Sequence, residues 1–482
     1  MAQDNTWTIV IDKFYQGYAP LAFNNSLTEV GGAGSASSMG NVDVVNGDYL
    51  TQGPALSNLT NGTQAAAVTE AINFIMDKAV TADLTYAIGT TKLFSLSSTT
   101  VTSGATFPHT ITSCTNGESI QVLKGNLYYI YNTAGGGDIG KYNLNATFDD
   151  DWGSTVPTGM ATLQNAIHPS DKKEDILLFG NGRYAGTYIV ATDTLAPTKL
   201  DFGNDAVVSD VLYNSGQWYI AVNSGITGTN RTEGQIYTYD GAATSSTLSD
   251  EAGVGMQRIG FLYRINGVIY VAYQDLSSTG FIIGYIAGNQ IKPLARFTGA
   301  LPTFNQKTLY KNTILFLSSG LIYSAGAFID SLPFQLSQLA DGGYATTTAI
   351  AAPFGTPMIA SNDGGSNFRL AQFSGFDTAC TWKSIIFPLV SGLNLGYADS
   401  ITVLTKSLGA SAQCALTIEA NQNTSTSTSQ SITGTAKTRH YFTNLGISGI
   451  QDFRIALSWS GGNTTNDCAI RKIIVKGHWV EA

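Results

Sequence analysis

Val211-Leu-Tyr-Asn-Ser-Gly-Gln-Trp-Tyr-Ile220 reads as two short apolar strands joined by a tight Ser-Gly turn. Val122-Leu-Lys-Gly-Asn-Leu-Tyr-Tyr-Ile130 and Phe261-Leu-Tyr-Arg-Ile-Asn-Gly-Val-Ile-Tyr270 repeat the arrangement. Gly and Asn tolerate the positive φ that a two-residue hairpin loop demands, and Tyr, Val and Ile suit a pleated surface. Weaker copies surround Gly89, Gly182, Asn312 and Gly355. A variable loop and a third strand follow, as in Gly234-Gln-Ile-Tyr-Thr-Tyr239, Gly280-Phe-Ile-Ile-Gly-Tyr285 and Gly320-Leu-Ile-Tyr323. Turn-to-turn spacing runs from about 34 to about 57 residues, about 44 on average, the length of a four-stranded propeller blade. The second strands are nearly continuous in apolar residues, which burial on both faces between neighbouring sheets requires. The pattern predicts an all-β chain with a β-propeller of six or seven blades over residues 82–376. A β-sandwich series or a β-solenoid is the competing arrangement.

Residues 1–81 read differently. An apolar run from Trp7 to Ile11 leads into a turn-rich stretch, the pattern of an extended arm. One short helix is predicted over Gln64 to Val80, with Thr63 or Asn61 as cap and an apolar stripe that includes Ala71, Ile72, Ile75 and Met76. In residues 377–482 Cys414 to Ala420 and Phe453 to Trp459 alternate apolar with polar, so each has one wet and one dry face. A C-terminal β-sandwich is the expected assembly. The tract Asn421 to Ser431 between them reads as an exposed loop.

Of 482 residues only 12% are charged, about half of the usual quarter. The net charge of -9, with no Lys/Arg cluster in the sequence, argues against gripping nucleic acid or an anionic membrane surface. No run approaches the roughly 18 apolar residues of a membrane span, so no membrane insertion is expected. The four cysteines, Cys114, Cys380, Cys414 and Cys468, are far apart in sequence and outline no zinc site; buried thiols are expected, with one C-terminal bridge left open.

Candidate chemistry is sparse. The four histidines, His109, His168, His440 and His478, are isolated, and none of the familiar hydrolase or nucleotide-binding signatures is present. No catalytic, cofactor-binding or metal-binding residue is predicted, and the chain is read as a non-enzyme without cofactor. Asp149-Asp-Asp151 is a solvated turn before it is a Ca²⁺ site, and Gly135 to Gly140 is a loop. Ser361-Asn-Asp363-Gly-Gly365-Ser-Asn-Phe368 resembles the Asp-box turn between outer strands of sialidase-like propellers. There Ser361 and Asp363 would fold back onto turn amides, Gly365 would turn the chain and Phe368 would anchor it, a structural role. The many aromatics are read as core; if some line a sugar-binding face, Trp218 is the first candidate.

Phe14-Tyr-Gln-Gly-Tyr-Ala-Pro20, the Gly47-Asp-Tyr-Leu50-Thr-Gln-Gly-Pro54 turn and the ending Ile470-Arg-Lys-Ile-Ile-Val-Lys-Gly-His-Trp-Val480 together resemble structural proteins of tailed bacteriophages. The similarity is to tail nozzle and tail-hub proteins of the packaged-DNA-stabilisation type. It implies a virion component assembled in the host cytoplasm, a homo-oligomeric and favoured hexameric ring docked to other tail or adaptor proteins. Genomic DNA would pass through the lumen without specific binding, and the N-terminal arm would pair with a neighbour or close its own propeller. A carbohydrate-binding propeller that recognises a host receptor is the alternative, and a sialidase-like glycoside hydrolase a more distant one.

Overall fold

The computed structural model describes residues 6–12, 14, 36–44, 49–59, 68–104, 106–145, 147–157, 163–227, 230–241, 249–250, 258–274, 280–288, 290–326, 335–341, 346–364, 367–389, 394–422, 425–426, 429–459 and 464–481. Seven four-stranded antiparallel sheets follow one another along the chain. Their first strands are Ile72–Ile75, Cys114–Leu123, Ser170–Lys173, Val207–Asn214, Ile259–Ile265, Lys307–Tyr310 and Thr346–Ala351. Each first strand contacts the next, and the seventh contacts the first, so the sheets close into a circuit around a shared axis.

Alternation along the second strands explains the packing. In Asn126–Thr133, Tyr129 and Tyr131 enter the core shared with the first sheet, while Tyr128 and Ile130 enter the core shared with the third. A separate apolar cluster fills every one of the seven intervals, the last holding Ile72 and Phe94 against Ala349 and Met358. No sheet covers both of its faces alone, which is why these strands read as unbroken apolar runs.

Polar groups on the inner strands complete the circuit. Asn73 Nδ2 donates to Gly117 O (3.0 Å), Ser119 Oγ to His168 O (2.7 Å), and the Tyr213 amide to Asp171 (2.7 Å). The Leu262 amide donates to Asp210 (2.6 Å), Lys307 Nζ to Leu262 O (2.6 Å), Gln306 Nε2 to Thr347 O (3.0 Å) and Thr348 Oγ1 to Ile72 O (2.6 Å). Every junction between sheets thus carries a side-chain bond to a neighbour's backbone. Buried peptide groups at the axis would otherwise lack partners.

The turns correct the reading of the repeat. Lys124-Gly125, Ser215-Gly216 and Asn266-Gly267 are two-residue loops with positive φ at both positions, joining first to second strands. Gly89 and Gly182 belong instead to turns between second and third strands. In the third sheet the first turn is Glu174-Asp175, with Glu174 at φ 47. Moving the mark there evens out the long and short intervals.

The predicted helix over Gln64 to Val80 is overturned. Residues 64–67 lie outside the described residues, and Ile72–Ile75 is a strand, the innermost of the first sheet. Ile72 and Ile75 face one core while Phe74 and Met76 pack on the next. A strand buried on both faces shows no period of two, so helical spacing arose by coincidence. Among the described residues the only helix is Trp152–Thr155. Gly136–Tyr142 is a strand, not a loop; a Cβ on Gly140 would lie 2.1 Å from the Tyr129 ring, so glycine is required there.

The segment before residue 60 is distributed over the whole molecule. Thr6–Ile11 pairs with Ile470–Glu481, Ala36–Gly40 with Thr381–Ser384, and Ala55–Asn58 is the fourth strand of the seventh sheet, against Phe368–Ser374. The C-terminal residues form a four-stranded and a seven-stranded sheet that share one core, built around Trp7, Trp382 and Trp459. Gln413–Ala420 alternates buried and half-buried residues without exception. Parts of the tract read as a loop, Ser425–Thr426 and the start of Gln430–Thr433, pair with that strand. All four cysteines are free, and Cys380, Cys414 and Cys468 are buried.

Candidate functional site

Two cavities lie at the two ends of the seven inner strands, about 1090 Å³ at the wide end and 440 Å³ at the narrow one. The wide end is rimmed by the first turns, so backbone geometry positions Lys124, Glu174 and Lys311 at its edge.

Four charged residues occupy the axis below that rim. Lys307 Nζ donates to Asp210, whose carboxylate also accepts the Val211 amide at 2.9 Å. Asp171 accepts the Tyr213 and Lys172 amides at 2.7 and 2.8 Å. Asp77 accepts Thr308 Oγ1 at 2.5 Å, the Ala352 amide at 3.1 Å and the Tyr263 hydroxyl at 3.4 Å. Asp77 is an exposed residue of the cavity lining whose carboxyl is nonetheless surrounded by these groups. Desolvation therefore raises the carboxyls of Asp77, Asp171 and Asp210 above the ordinary range, with Lys307 opposing the shift in all three.

Cations and aromatics line the approach. Lys173 Nζ lies 5.2 Å from the centre of the Tyr213 ring, and Arg264 Nη1 donates to Tyr213 O at 2.9 Å. Lys172 bonds Val122 O; burial, then the charge of Lys78, lowers its pKa. Lys311 pairs with Asp43 at 3.2 Å. Tyr263 and Tyr310 bring two more rings to the wall.

At the narrow end Glu118 accepts Asn116 Nδ2 (2.6 Å) and Asn132 Nδ2 (2.9 Å). Burial pushes its carboxyl up to about 7. His168 is enclosed between Gly180 O (2.7 Å) and Asn132 Oδ1 (3.2 Å), and burial lowers it to about 4.

The residues singled out from sequence lie elsewhere. Asp363 accepts the Asn367 amide at 3.3 Å, and Phe368 packs on the core between the seventh and first sheets. Ser361 Oγ is buried without a hydrogen-bond partner among the described residues, and Gly365 lies outside them. The turn joins the second and third strands of its sheet, not the outer pair. Asp150 is not a solvated turn residue. Against the cost of its burial, bonds from His109 (3.0 Å), Tyr129 (2.5 Å) and the Thr112 amide (2.9 Å) hold its carboxyl at about 2. Among the described residues no group of three His, Cys, Asp or Glu side chains is arranged for a metal. Trp218 is fully buried against Tyr213, which removes it as a surface candidate. Sequence reading missed the axial group; its one signal was an Asp inside an apolar first strand, as in Val207-Val-Ser-Asp-Val-Leu212.

No protein-family model matches the chain, and no curated protein matches it at a significant level. Solved structures similar to parts of it include an extracellular domain assigned to a one-component system from B. thetaiotaomicron. It shares 12% identity over 74% of this chain and 43% of that one, with a TM-score of 0.46. An exo-β-1,3-galactanase from Phanerochaete chrysosporium with galactose matches at 10% identity, over 67% and 98% of the two chains, TM-score 0.32. A GH74 xyloglucanase from Xanthomonas campestris matches at 12% identity, over 61% and 51%, TM-score 0.41. The chain thus spans less than half of the first of these proteins.

Proposed function

We propose that the chain is a seven-bladed β-propeller closed by its own N-terminal strand, carrying a C-terminal β-sandwich, and that it binds carbohydrate without catalysis. The observation that carries this reading is the wide axial cavity, where Tyr213, Tyr263 and Tyr310 stand among hydroxyl, amide and ammonium donors on rigid turns. Sugar recognition needs that combination, an aromatic surface for C–H faces and fixed polar groups for hydroxyls. Absence of catalysis is supported by the carboxylates themselves. Asp77, Asp171 and Asp210 each accept at least two bonds from the chain's own groups, which holds them in structural roles. A glycan panel should reveal a ligand whose binding weakens in Tyr213→Leu, and chromogenic glycosides should not turn over. A panel without any bound glycan would remove the reading, and turnover would make the protein an enzyme.

The virion reading keeps one specific support. Strands from the first 60 residues belong to both bodies, so ring and sandwich are stitched into one rigid piece suited to assembly with copies and tail proteins. Since the axis of one chain is filled by Lys307 and its carboxylates, DNA would pass between subunits. Mass spectrometry of purified particles and the symmetry of their tails test this reading; absence from particles rejects it.

A further inference from the structure

The wide axial mouth inverts the charge of the chain. Seven of its lining residues are Lys or Arg and four are Asp or Glu, whereas the whole chain has 25 basic and 34 acidic residues. Three of those four acids are hydrogen-bonded by the chain's own groups. Asp210 is paired with Lys307, Asp171 with two amides, and Asp77 with Thr308, Ala352 and Tyr263. Asp77 and Glu174 are the exposed acids of the mouth, and Glu174 stands in its rim turn.

The cations are less occupied. Lys307 and Lys311 have carboxylate partners, but Lys78, Lys124, Lys172, Lys173 and Arg264 have none among the described residues. Lys172 and Arg264 hydrogen-bond backbone carbonyls and feel the Asp171 carboxylate through space, and Lys173 lies over a tyrosine face. Like charges gathered in a concave, protein-walled mouth repel one another and focus a positive potential outward. The four turns and strand ends that present them are fixed by hairpin geometry, so the cations cannot disperse by local backbone movement.

We propose that this mouth binds an acidic glycan, one bearing carboxylate or sulfate groups, with Lys78, Lys124 and Lys173 as its principal charge contacts. The proposal rests on the carbohydrate-binding reading and narrows it to a ligand class. Sugar rings would lie along the tyrosines while the acidic groups meet the ammoniums. Carboxylate and sulfate share the chemistry that these ammoniums recognise, and the ligand panel separates them.

The test compares an oligogalacturonate, a sulfated galacto-oligosaccharide and the neutral galacto-oligosaccharide of equal length, by calorimetry on the full chain. At low salt at least one acidic ligand should bind about tenfold more tightly than the neutral one, and about 0.5 M salt should erase most of that preference. The triple variant Lys78→Gln, Lys124→Gln, Lys173→Gln should lose the preference. A charge-matched control, Lys406→Gln, Lys437→Gln, Lys476→Gln in the C-terminal body, should keep it. An unchanged melting curve shows that each variant is folded. Equal or tighter binding of the neutral ligand, or a preference that survives in the triple variant, overturns the proposal and leaves the carbohydrate reading standing. No binding of any glycan overturns both.

Discussion

Lys307 and Asp210, 97 residues apart in sequence, meet at the axis of the ring as a hydrogen-bonded ion pair, with 12% and 4% of their side chains exposed. The pair links three sheets, because Lys307 also bonds Leu262 O and Asp210 accepts the Leu262 amide. Its removal is the sharpest test of the axial architecture.

Lys307→Met leaves the Asp210 carboxylate buried without its cation. The expected loss of stability is about 3–5 kcal/mol, read as a lower denaturant midpoint. Adding Asp210→Asn should recover part of it, since the neutral amide needs no counter-charge.

Two buried groups at the narrow end couple stability to pH in opposite directions over one window. The folded-state value of Glu118, about 7, lies above its ordinary 4.5. Its contribution is therefore whole below pH 4.5 and is lost as pH rises through 7. His168, lowered from 6.5 to about 4, behaves oppositely: its contribution is whole above 6.5 and is lost as pH falls through 4. Each limb amounts to about 3 kcal/mol. Because the two windows overlap, the opposing limbs largely offset: denaturation at pH 5 and pH 8 should give the native chain nearly equal stability, whereas Glu118→Gln, left with the His168 limb alone, should be about 2 kcal/mol more stable at pH 8 than at pH 5.

Two asparagines in second strands clamp the chain where it enters the next sheet. Asn132 accepts the Ala166 amide at 3.2 Å and donates to Ala166 O at 2.9 Å; Asn223 does the same to Ile259 at 2.7 and 3.0 Å. Asn223→Ala should cost about 1–3 kcal/mol in chemical denaturation. Asn132→Ala should cost more, because Asn132 also donates to Glu118.

The closing strand should control its neighbour. The Leu59 amide donates to Leu370 O at 3.0 Å, so by alternation the Ser57 amide faces the same strand. Ser57→Pro removes that bond. Hydrogen exchange should accelerate across Phe368–Ser374 and stay slow in Cys114–Leu123.

Thiol reagents at pH 8 should leave the native protein unmodified and label four cysteines after unfolding. Burial pushes Cys114, Cys380 and Cys468 up to about 12 and Cys414 well above its ordinary value. Rapid native labelling at any of them would contradict the packing described.

Strand chemistry was legible where local rules sufficed. Ser215-Gly216 and Asn266-Gly267 announced their turns because positive φ restricts residue choice, and Gln413–Ala420 announced its half-buried face by alternation. Ile72–Ile75 was misread because a doubly buried strand leaves no periodic mark. Gly182 was assigned to the wrong turn because a tight turn has the same composition wherever it falls in a sheet. The axial site was illegible for a different reason. Lys78, Lys124 and Lys173 lie in separate sheets, and each alone looks like a solvated loop lysine.

The sequence by itself determined an all-β chain of repeated hairpins, since turn stereochemistry and apolar runs are properties of adjacent residues. Only the tertiary structure decided that the seventh sheet borrows Ala55–Asn58, that the acids at the axis are internally paired, and that the cations gather at one mouth. Those outcomes depend on closing a circuit between residues hundreds of positions apart, and ring closure leaves no signature in any local window.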